Sequence, residues 1–221
     1  TPSWKRITMA DAVKNVTGAD FMAVEGDADA GVMLAKSVGV DMDGVSHTWG
    51  NALYETFDQK VEETLIQPTF ITMYPVEVSP LAKRSPQQPA LTERYEMFIC
   101  GCEMGNAFSE LNDPIDQEMR FKEQMRLSEK GDDEAMIIDH DFLRALQYGM
   151  PPTSGIGIGI DRLTMLMTGQ ETIQEVILFP QMKPEKKMPQ DSIEAWAKIG
   201  VPEEWVYVLR KAGFNLLSDI C

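Results

Sequence analysis

The sequence has little of what several common protein classes require. Its 221 residues include only 3 cysteines and 2 histidines, which are too few and too scattered for a disulfide framework or a catalytic triad. No stretch approaches the roughly 18 consecutive apolar residues of a membrane span. Residues 1–6 have no apolar segment of the kind found in signal peptides. These absences exclude an integral membrane protein and predict a protein of the reducing cytoplasm.

Positive charge is also scarce. The chain has 20 basic and 35 acidic residues, for a net charge of −15. Because affinity for phosphate backbones comes from clustered Lys and Arg, this balance argues against a general nucleic-acid grip. This net charge is nevertheless compatible with a nucleotide or an RNA that is held at one local site. The first residue is Thr1 rather than methionine, which favours a chain that begins within a longer protein.

Hydrophobic periodicity predicts an α+β fold. Residues 7–66 are expected to be mostly helical, with helices bounded by Thr8 and Gly18, over 27–38, and over 49–65, where Leu53, Phe57, Val61 and Leu65 form an apolar stripe. From residue 68 onward, strands are predicted at 69–74, 93–100, 103–111 and 155–160, with helices at 116–130, 139–148 and 162–168. Pro75 implies an edge position or a bulge for the first strand. A linker at 183–189 leads to a helical appendage.

A glycine-punctuated stretch, Gly155-Ile156-Gly157-Ile158-Gly159-Ile160-Asp161-Arg162-Leu163, is the strongest candidate for a ligand site. Because side chains alternate along a strand, the isoleucines are expected to enter a core. The glycines then leave the other face bare for a flat or phosphorylated ligand. A helix start attracts anions, and Arg162 at that start suits both ring stacking and phosphate pairing. The alternative is close helix–sheet packing, with Arg162 in a structural ion pair.

A second stretch gathers polar groups and an aromatic wall. Three residues at alternate positions share one strand face: Asn106, Phe108 and Glu110. This composition predicts a pocket for a small, positively charged ligand. Glu96 and Glu103 are expected to meet across the hairpin and to hold a hard cation. Glu103 has the wrong parity for that face, so a β-bulge near Gly105 is required. The alternative is a solvated edge with surface salt bridges.

Four segments together closely resemble class II lysyl-tRNA synthetases: residues 79–83 (SPLAK), 91–96 (LTERYE), 103–113 (EMGNAFSELND) and 155–163 (GIGIGIDRL). The last is similar to motif 3, which many class II enzymes share, and its pairing with residues 106–113 (NAFSELND) is much more specific to the lysine enzymes. The likeness covers about residues 4–182. It implies that residues 1–188 are the C-terminal part of the catalytic domain, with a helical insertion at about 7–66 and the antiparallel sheet with motif 3 at about 68–182. Residues 189–221 are the appendage.

The resemblance also implies roles for individual residues around ATP. Glu96 and Glu103 match the acidic residues that hold Mg²⁺ at the ATP phosphates. Arg162 matches the catalytic arginine of motif 3, which stacks on adenine and helps to position the phosphates. Gly157 and Gly159 of the same motif are assigned to the ATP site.

A further set of matches concerns the amino acid. Asn106 matches a residue that contacts both metal-bound ATP and lysine. Phe108 matches a wall of the lysine pocket, and Glu110 matches the carboxylate that binds the lysine ε-ammonium group. Cys102 departs from the family, because many relatives carry arginine there.

The activity implied by the resemblance is activation of L-lysine with ATP and transfer to tRNA(Lys). The chain has no segment like the dimer-forming motif 1, the motif 2 that binds the α-phosphate, or an anticodon-binding barrel. We therefore expect a piece of a longer, homodimeric ligase that is inactive alone. The alternative is a synthetase paralogue that binds lysine or a nucleotide without charging tRNA.

Overall fold

Five strands form one sheet in the first of two structural units. The computed structural model describes residues 3–128, 138–180 and 191–214, and the two units are Thr1–Val176 and Ile177–Cys221. The predicted linker at 183–189 and the domain boundary after residue 188 lie outside the described residues.

The strand order in the sheet follows the order along the chain. The strands are β1 (Lys5–Thr8), β2 (Thr69–Thr72), β3 (Arg94–Ile99), β4 (Cys102–Ser109) and β5 (Ser154–Ile158). All neighbouring pairs are antiparallel except β1 and β2, which run parallel. The predicted α+β class, an antiparallel sheet with flanking helices, is confirmed. Strand β1 was not predicted, and its parallel pairing makes the sheet mixed.

In the described part of this unit, six α-helices accompany the sheet. They are α1 (Met9–Thr17), α2 (Ala28–Ser37), α3 (Trp49–Lys60), α4 (Pro114–Ser128), α5 (His140–Gln147) and α6 (Ile160–Thr168). The Thr8 hydroxyl caps α1 by accepting a hydrogen bond from the Asp11 amide, and the helix ends at Gly18 as predicted. The predicted apolar stripe is confirmed within α3 for Leu53 and Phe57, which are at most 1% exposed. The helix ends at Lys60 rather than at residue 65, so Val61, which is buried, and Leu65, which is half-buried, follow it.

The hydrophobic core lies between one face of the sheet and helices α1 to α3. Ile71 of β2 and Phe98 of β3 supply the sheet side of this core, and Phe57 of α3 packs edge-on against Phe98. Glu96 is paired with Ile71 across β2 and β3, so it lies on this same face. The helices thus cover the face over the first three strands, and the candidate site occupies its continuation over β4 and β5.

The expectation that the isoleucines after Gly155 enter a core is wrong. Ile156, Ile158 and Ile160 are 58%, 49% and 65% exposed. Among the residues that the structure describes, β5 is at the edge of the sheet and pairs with β4 alone. Alternation alone places apolar side chains on a common face, but it does not determine whether another layer covers that face.

The expectation for Pro75 is also wrong. The strand ends at Thr72 and is paired on both sides, with β1 and β3. Met73 then adopts a positive φ of 62°, which turns the chain before Pro75 forms an isolated bridge with Leu91. The chain therefore accommodates the proline by leaving the sheet rather than by a bulge or an edge position.

The second unit contains two short helices, α7 (Ile193–Lys198) and α8 (Glu203–Lys211). Ser192 caps α7 through the Ala195 amide, as its sequence position predicts. Trp196 and Val206 are fully buried. Across the described parts of both units, no helix combines the length and the apolar character required to cross a bilayer.

Candidate active site

A tight hairpin between β3 and β4 builds the acidic part of the site. Its two turn residues, Cys100 and Gly101, have φ of 55° and 72°, which matches the twist of the flanking strands. Their amides donate hydrogen bonds to the carbonyls of Ile66 and Leu65, each at 3.0 Å. The predicted hairpin is confirmed, and its turn is attached to the segment that follows α3.

The predicted β-bulge in this hairpin is present. Met97 pairs with Gly105, but the next residue, Phe98, pairs with Glu103, so the register shifts by one residue. This shift places Glu103 on the same face as Glu96 and Asn106. Glu96 lies opposite Asn106 rather than opposite Glu103, so the two glutamates share a face without being direct cross-strand partners.

A cleft of about 380 Å³ lies between β4, β5 and the start of α6. Its lining includes Glu103, Asn106, Gly157, Gly159 and Arg162. The Arg162 guanidinium donates to the Glu103 carbonyl at 2.7 Å and lies 3.4 Å from its carboxylate. The structure therefore brings together five of the predicted ATP-site residues, with Arg162 about half exposed.

The predicted amino-acid pocket lies on the same sheet face as this cleft. It begins at the pair Phe108 and Gly155, which is the next pair on that face after Asn106 and Gly157. Phe108 of β4 is paired with Arg94 on one side and Gly155 on the other. The Glu110 carboxylate lies directly over Gly155, where a β-carbon would overlap its Oε1. The Glu110 amide donates to the Thr153 carbonyl at 2.9 Å. Phe108 and Glu110 are thus adjacent, and the missing side chain at Gly155 gives the carboxylate its place.

Glu96 has two partners that the sequence analysis did not identify. The Tyr74 hydroxyl donates to its Oε2 at 2.7 Å, and Arg94 forms a salt bridge with its Oε1. Glu96 is only 7% exposed, so both contacts are electrostatically stronger than they would be in water. Tyr74 is 22 residues distant in sequence, and no spacing pattern connects the two.

Negative charge dominates the region where the hairpin meets α3. Burial and then the Asp58 carboxylate raise the pKa of Glu62 above its usual value, with Glu96 and Glu103 adding to the effect. Burial and the Glu96 charge likewise raise the pKa of Tyr54 to about 12. Neighbouring carboxylates raise a pKa because they disfavour the ionised, negatively charged form of the group. The same accumulated negative charge attracts a cation, so the region suits a cationic ligand.

The oxygen atoms available on this face suit the binding of a hard divalent cation. Glu96 and Glu103 offer carboxylate oxygens, and the buried Asn106 Oδ1 has no hydrogen-bond partner in the described structure. Within the described residues, no group of three or more His, Cys, Asp and Glu could hold a metal by itself. Mg²⁺ is commonly bound by one or two carboxylates together with waters and substrate phosphates, and the site matches that pattern.

A family model and individual relatives indicate the same protein family for this chain. The family model of class II tRNA synthetases (D, K and N) matches residues 1–183. A lysine–tRNA ligase of Porphyromonas gingivalis W83 is 57% identical over 221 residues, which is 98% of this chain and 37% of that protein. The lysine–tRNA ligase of Bacillus subtilis 168 is 55% identical over 182 residues, covering 82% of this chain and 36% of the relative.

A third relative, the lysine–tRNA ligase of Christiangramia forsetii, is 53% identical over 218 residues, which is 98% of this chain and 36% of the relative. The chain thus spans somewhat more than a third of the length of these relatives. The share of this chain that is matched differs between relatives, from 82% to 98%.

Proposed function

The chain belongs to the class II tRNA synthetase family (D, K and N), and on that premise we propose that it forms part of a lysine–tRNA ligase. Such an enzyme activates L-lysine with ATP to lysyl-adenylate and transfers the lysyl group to tRNA(Lys). One observation supports this most directly: the Phe108–Glu110 pocket and the Arg162 cleft adjoin each other on one sheet face.

Glu110 selects the amino acid in this proposal. A lysine ε-ammonium group transferred from water into the pocket pairs with the Glu110 carboxylate, and Phe108 packs against the aliphatic stem. A neutral side chain of similar length would leave the carboxylate without a partner. Because an unpaired buried charge is costly, the pocket rejects that competitor.

Arg162, Gly157 and Gly159 form the ATP site. Gly157 in β5 and Gly159 directly after it leave the backbone accessible to a flat base, and the guanidinium of Arg162 stacks on a ring or pairs with a phosphate. Helix α6 begins directly after Gly159 without a side-chain cap. Its first amides are therefore suited to an anionic group.

Glu96 and Glu103 are the residues that would hold Mg²⁺, with the Asn106 amide oxygen beside them. A magnesium ion bound there neutralises charge on the ATP phosphates. Glu103 also contacts Arg162, so the carboxylate orients the guanidinium that faces the same phosphates.

The chemistry requires positioning rather than a protein nucleophile. The lysine carboxylate attacks the α-phosphorus of ATP, an O–P bond forms, and pyrophosphate leaves with the electrons of the broken bond. Glu110 fixes the distant end of lysine, and Arg162 fixes the nucleotide. Holding two reactants in line in this way provides much of the rate enhancement in such transfers.

Lysine-dependent exchange of pyrophosphate into ATP tests the proposal. The full-length protein is expected to catalyse the exchange with lysine and not with ornithine or norleucine. Residues 1–221 alone are expected to be inactive, because the grip on the α-phosphate and the dimer contacts are proposed to come from other segments. Exchange by residues 1–221 at the full-length rate would contradict the second expectation, and no exchange by the full-length protein would contradict the first.

A second candidate is a binding module that holds lysine or a nucleotide without charging tRNA. The observation in its favour is that the described residues alone assemble Glu110, Asn106 and Arg162 on one face. Calorimetry of residues 1–221 with lysine and with Mg-ATP separates the two candidates. Tight binding without exchange activity in the full-length protein would favour the module.

The remaining assignments follow from the same proposal. We place the C-terminal part of the catalytic domain at residues 1–188 and a helical appendage at 189–221, and we expect a cytoplasmic homodimer. The match to the Bacillus subtilis relative covers 182 residues, whereas that to the Porphyromonas gingivalis relative covers 221. Since every residue assigned to the site precedes this appendage, we expect removal of residues 189–221 from the full-length protein to leave lysyl-tRNA formation intact.

A further inference from the structure

Glu96 is held at both carboxylate oxygens by donors from different parts of the chain. Tyr74, two residues beyond β2, donates its hydroxyl hydrogen bond to Oε2 at 2.7 Å. Arg94, two residues before Glu96 on β3, binds Oε1 through Nη2. A carboxylate with one fixed donor on each oxygen cannot rotate freely about its terminal torsion.

The two donors are themselves immobilised. The Arg94 Nη1 donates to the Val78 carbonyl at 2.8 Å and to the Ser79 hydroxyl at 3.1 Å. Its guanidinium carbon also lies 4.6 Å from the centroid of the Tyr74 ring, the distance of a cation–π contact. Tyr74 is fully buried, and its carbonyl accepts hydrogen bonds from both the amide and the hydroxyl of Thr92.

This arrangement leaves the carboxylate with spare acceptor capacity. An ionised carboxylate has about four lone-pair positions, and the contacts with Tyr74 and Arg94 use one on each oxygen. Glu96 lies opposite Asn106, whose buried Oδ1 has no partner in the described structure. Metal-binding carboxylates are typically held by hydrogen bonds from supporting residues, as Glu96 is by Tyr74 and Arg94. The Asn106 Oδ1 offers a second oxygen ligand beside it.

We propose that Tyr74 and Arg94 are positioning residues that orient the Glu96 carboxylate for a divalent cation shared with the ATP phosphates. This inference rests on the proposed function. Arg94 orients Glu96 but also weakens the binding of a nearby cation, because its own positive charge repels that cation. Tyr74 is neutral, so removal of its hydroxyl changes the orientation of Glu96 without changing the charge of the site.

Tyr74→Phe in the full-length protein is therefore the most direct test, with Tyr95→Phe as the matched control. Unlike Tyr74, Tyr95 lies on β3 itself; it is paired with Ala107 and lies on the opposite face of the sheet from Glu96. Both variants lose one phenolic hydroxyl group. The probe is Mn²⁺–ATP, whose binding to the protein is followed through water-proton relaxation.

Tyr74→Phe is expected to weaken Mn²⁺–ATP binding about 10-fold, the scale of losing a hydrogen bond that orients a metal ligand, and Tyr95→Phe to leave it unchanged. In the exchange assay, the Mg²⁺ concentration for half-maximal rate should rise in Tyr74→Phe while the KM for lysine stays constant. A purely structural role would instead lower the melting temperature and leave Mn²⁺–ATP binding unchanged, which would overturn the proposal.

Arg94→Lys provides a second measurement if Tyr74→Phe lowers the melting temperature below that of the assay. Lysine keeps the charge but cannot bind Glu96, Val78 and Ser79 together, so weaker Mn²⁺–ATP binding is expected again, and unchanged binding contradicts the proposal. Failure of the proposed function is distinguishable, because it appears as no lysine-dependent exchange in the wild-type protein. The Mn²⁺–ATP comparison still tests the two positioning residues in that case.

Discussion

Glu110 and Gly155 are complementary in shape: the carboxylate of the first occupies the space that a side chain on the second would require. The two residues come from different segments, Gly155 from β5 and Glu110 from the residue after β4. The glycine of the motif thus does more than expose a backbone to a ligand. It also determines where a negative charge lies on the sheet face.

Gly155→Ala should therefore displace the Glu110 carboxylate and impair use of lysine. We expect kcat/KM for lysine in the exchange reaction to fall on the order of 10- to 100-fold, the scale of a misplaced contact group, with the KM for ATP little changed. Gly157→Ala is the matched variant, because the nearest atom to its new β-carbon would be the Asn106 carbonyl oxygen at 3.9 Å.

Gly157→Ala should spare lysine and instead weaken ATP binding, since the added methyl group enters the cleft beside Arg162. Equal losses for lysine and ATP in both glycine variants would show that the two positions are not separated into an amino-acid site and a nucleotide site.

Glu110→Gln should weaken lysine activation far more than ATP binding. The amide keeps the shape of the side chain but removes the charge that pairs with the ε-ammonium group. Loss of one partner of a buried charged pair costs roughly 2–5 kcal/mol, or at least about 30-fold in kcat/KM. The KM values for lysine and ATP in pyrophosphate exchange provide the measurement.

Glu93→Gln is the control for that substitution. Glu93 is exposed and directly precedes Arg94, the cross-strand partner of Phe108, so alternation directs its side chain to the other face of the sheet and the same change in net charge occurs away from the Glu110 carboxylate. If both variants lose lysine activation equally, the effect is one of overall charge, and the role assigned to Glu110 is wrong.

Sequence alone predicted the parts of this site that depend on local geometry. The parity of Glu103 relative to Asn106 required a bulge, and the register contains it. Strand alternation is a property of consecutive residues, so such a conflict is visible without any structure. The stripe of α3 was predictable for the same reason, because helical periodicity is local.

Features that depend on distant segments were not predictable in this way. The four residues of β1 form a strand because they pair with β2, far along the chain. Tyr74 is a functional candidate because it meets Glu96, and no spacing pattern connects the two residues. Arg94 differs, because strand alternation already places it on the same face as Glu96. The exposure of Ile156 depends on whether another layer covers β5, and its own apolar character gives no information on that point.

The turn of the β3–β4 hairpin offers a test of backbone strain. Cys100 has a φ of 55°, a region that asparagine tolerates much better than cysteine. Cys100→Asn should therefore stabilise the protein by about 0.5–1 kcal/mol, measured by denaturant or thermal unfolding. Cys102 is also exposed but lies in β4, so Cys102→Asn should be neutral or mildly destabilising.

Gly101→Ala should have the opposite effect in the same turn. Its φ is 72°, and an added β-carbon would lie 3.3 Å from the Glu63 carbonyl oxygen. We expect a loss of more than about 1 kcal/mol in unfolding free energy. Stability gained by Gly101→Ala, or lost by Cys100→Asn, would contradict the left-handed turn.

Asp116 provides a pH-dependent prediction. Burial alone would raise its pKa, but hydrogen bonds from Arg120 and Arg84 outweigh that effect and hold the pKa below its usual value of 3.8. Arg120 also donates to the carbonyls of Ser79 and Ala82, so this ion pair connects α4 to the segment that leads into β3.

A depressed carboxylate pKa stabilises the fold above the unfolded-state pKa, and the contribution disappears as the pH falls through the folded-state pKa. Asp116→Asn should therefore lower the unfolding free energy by about 1–3 kcal/mol at pH 7, and the difference from wild type should shrink below about pH 4. Glu118→Gln, which removes an exposed pair with Lys122 on the same helix, should change stability little at either pH. A wild-type advantage over Asp116→Asn that is equal at pH 7 and pH 3 would mean that the contribution of Asp116 is not its charge.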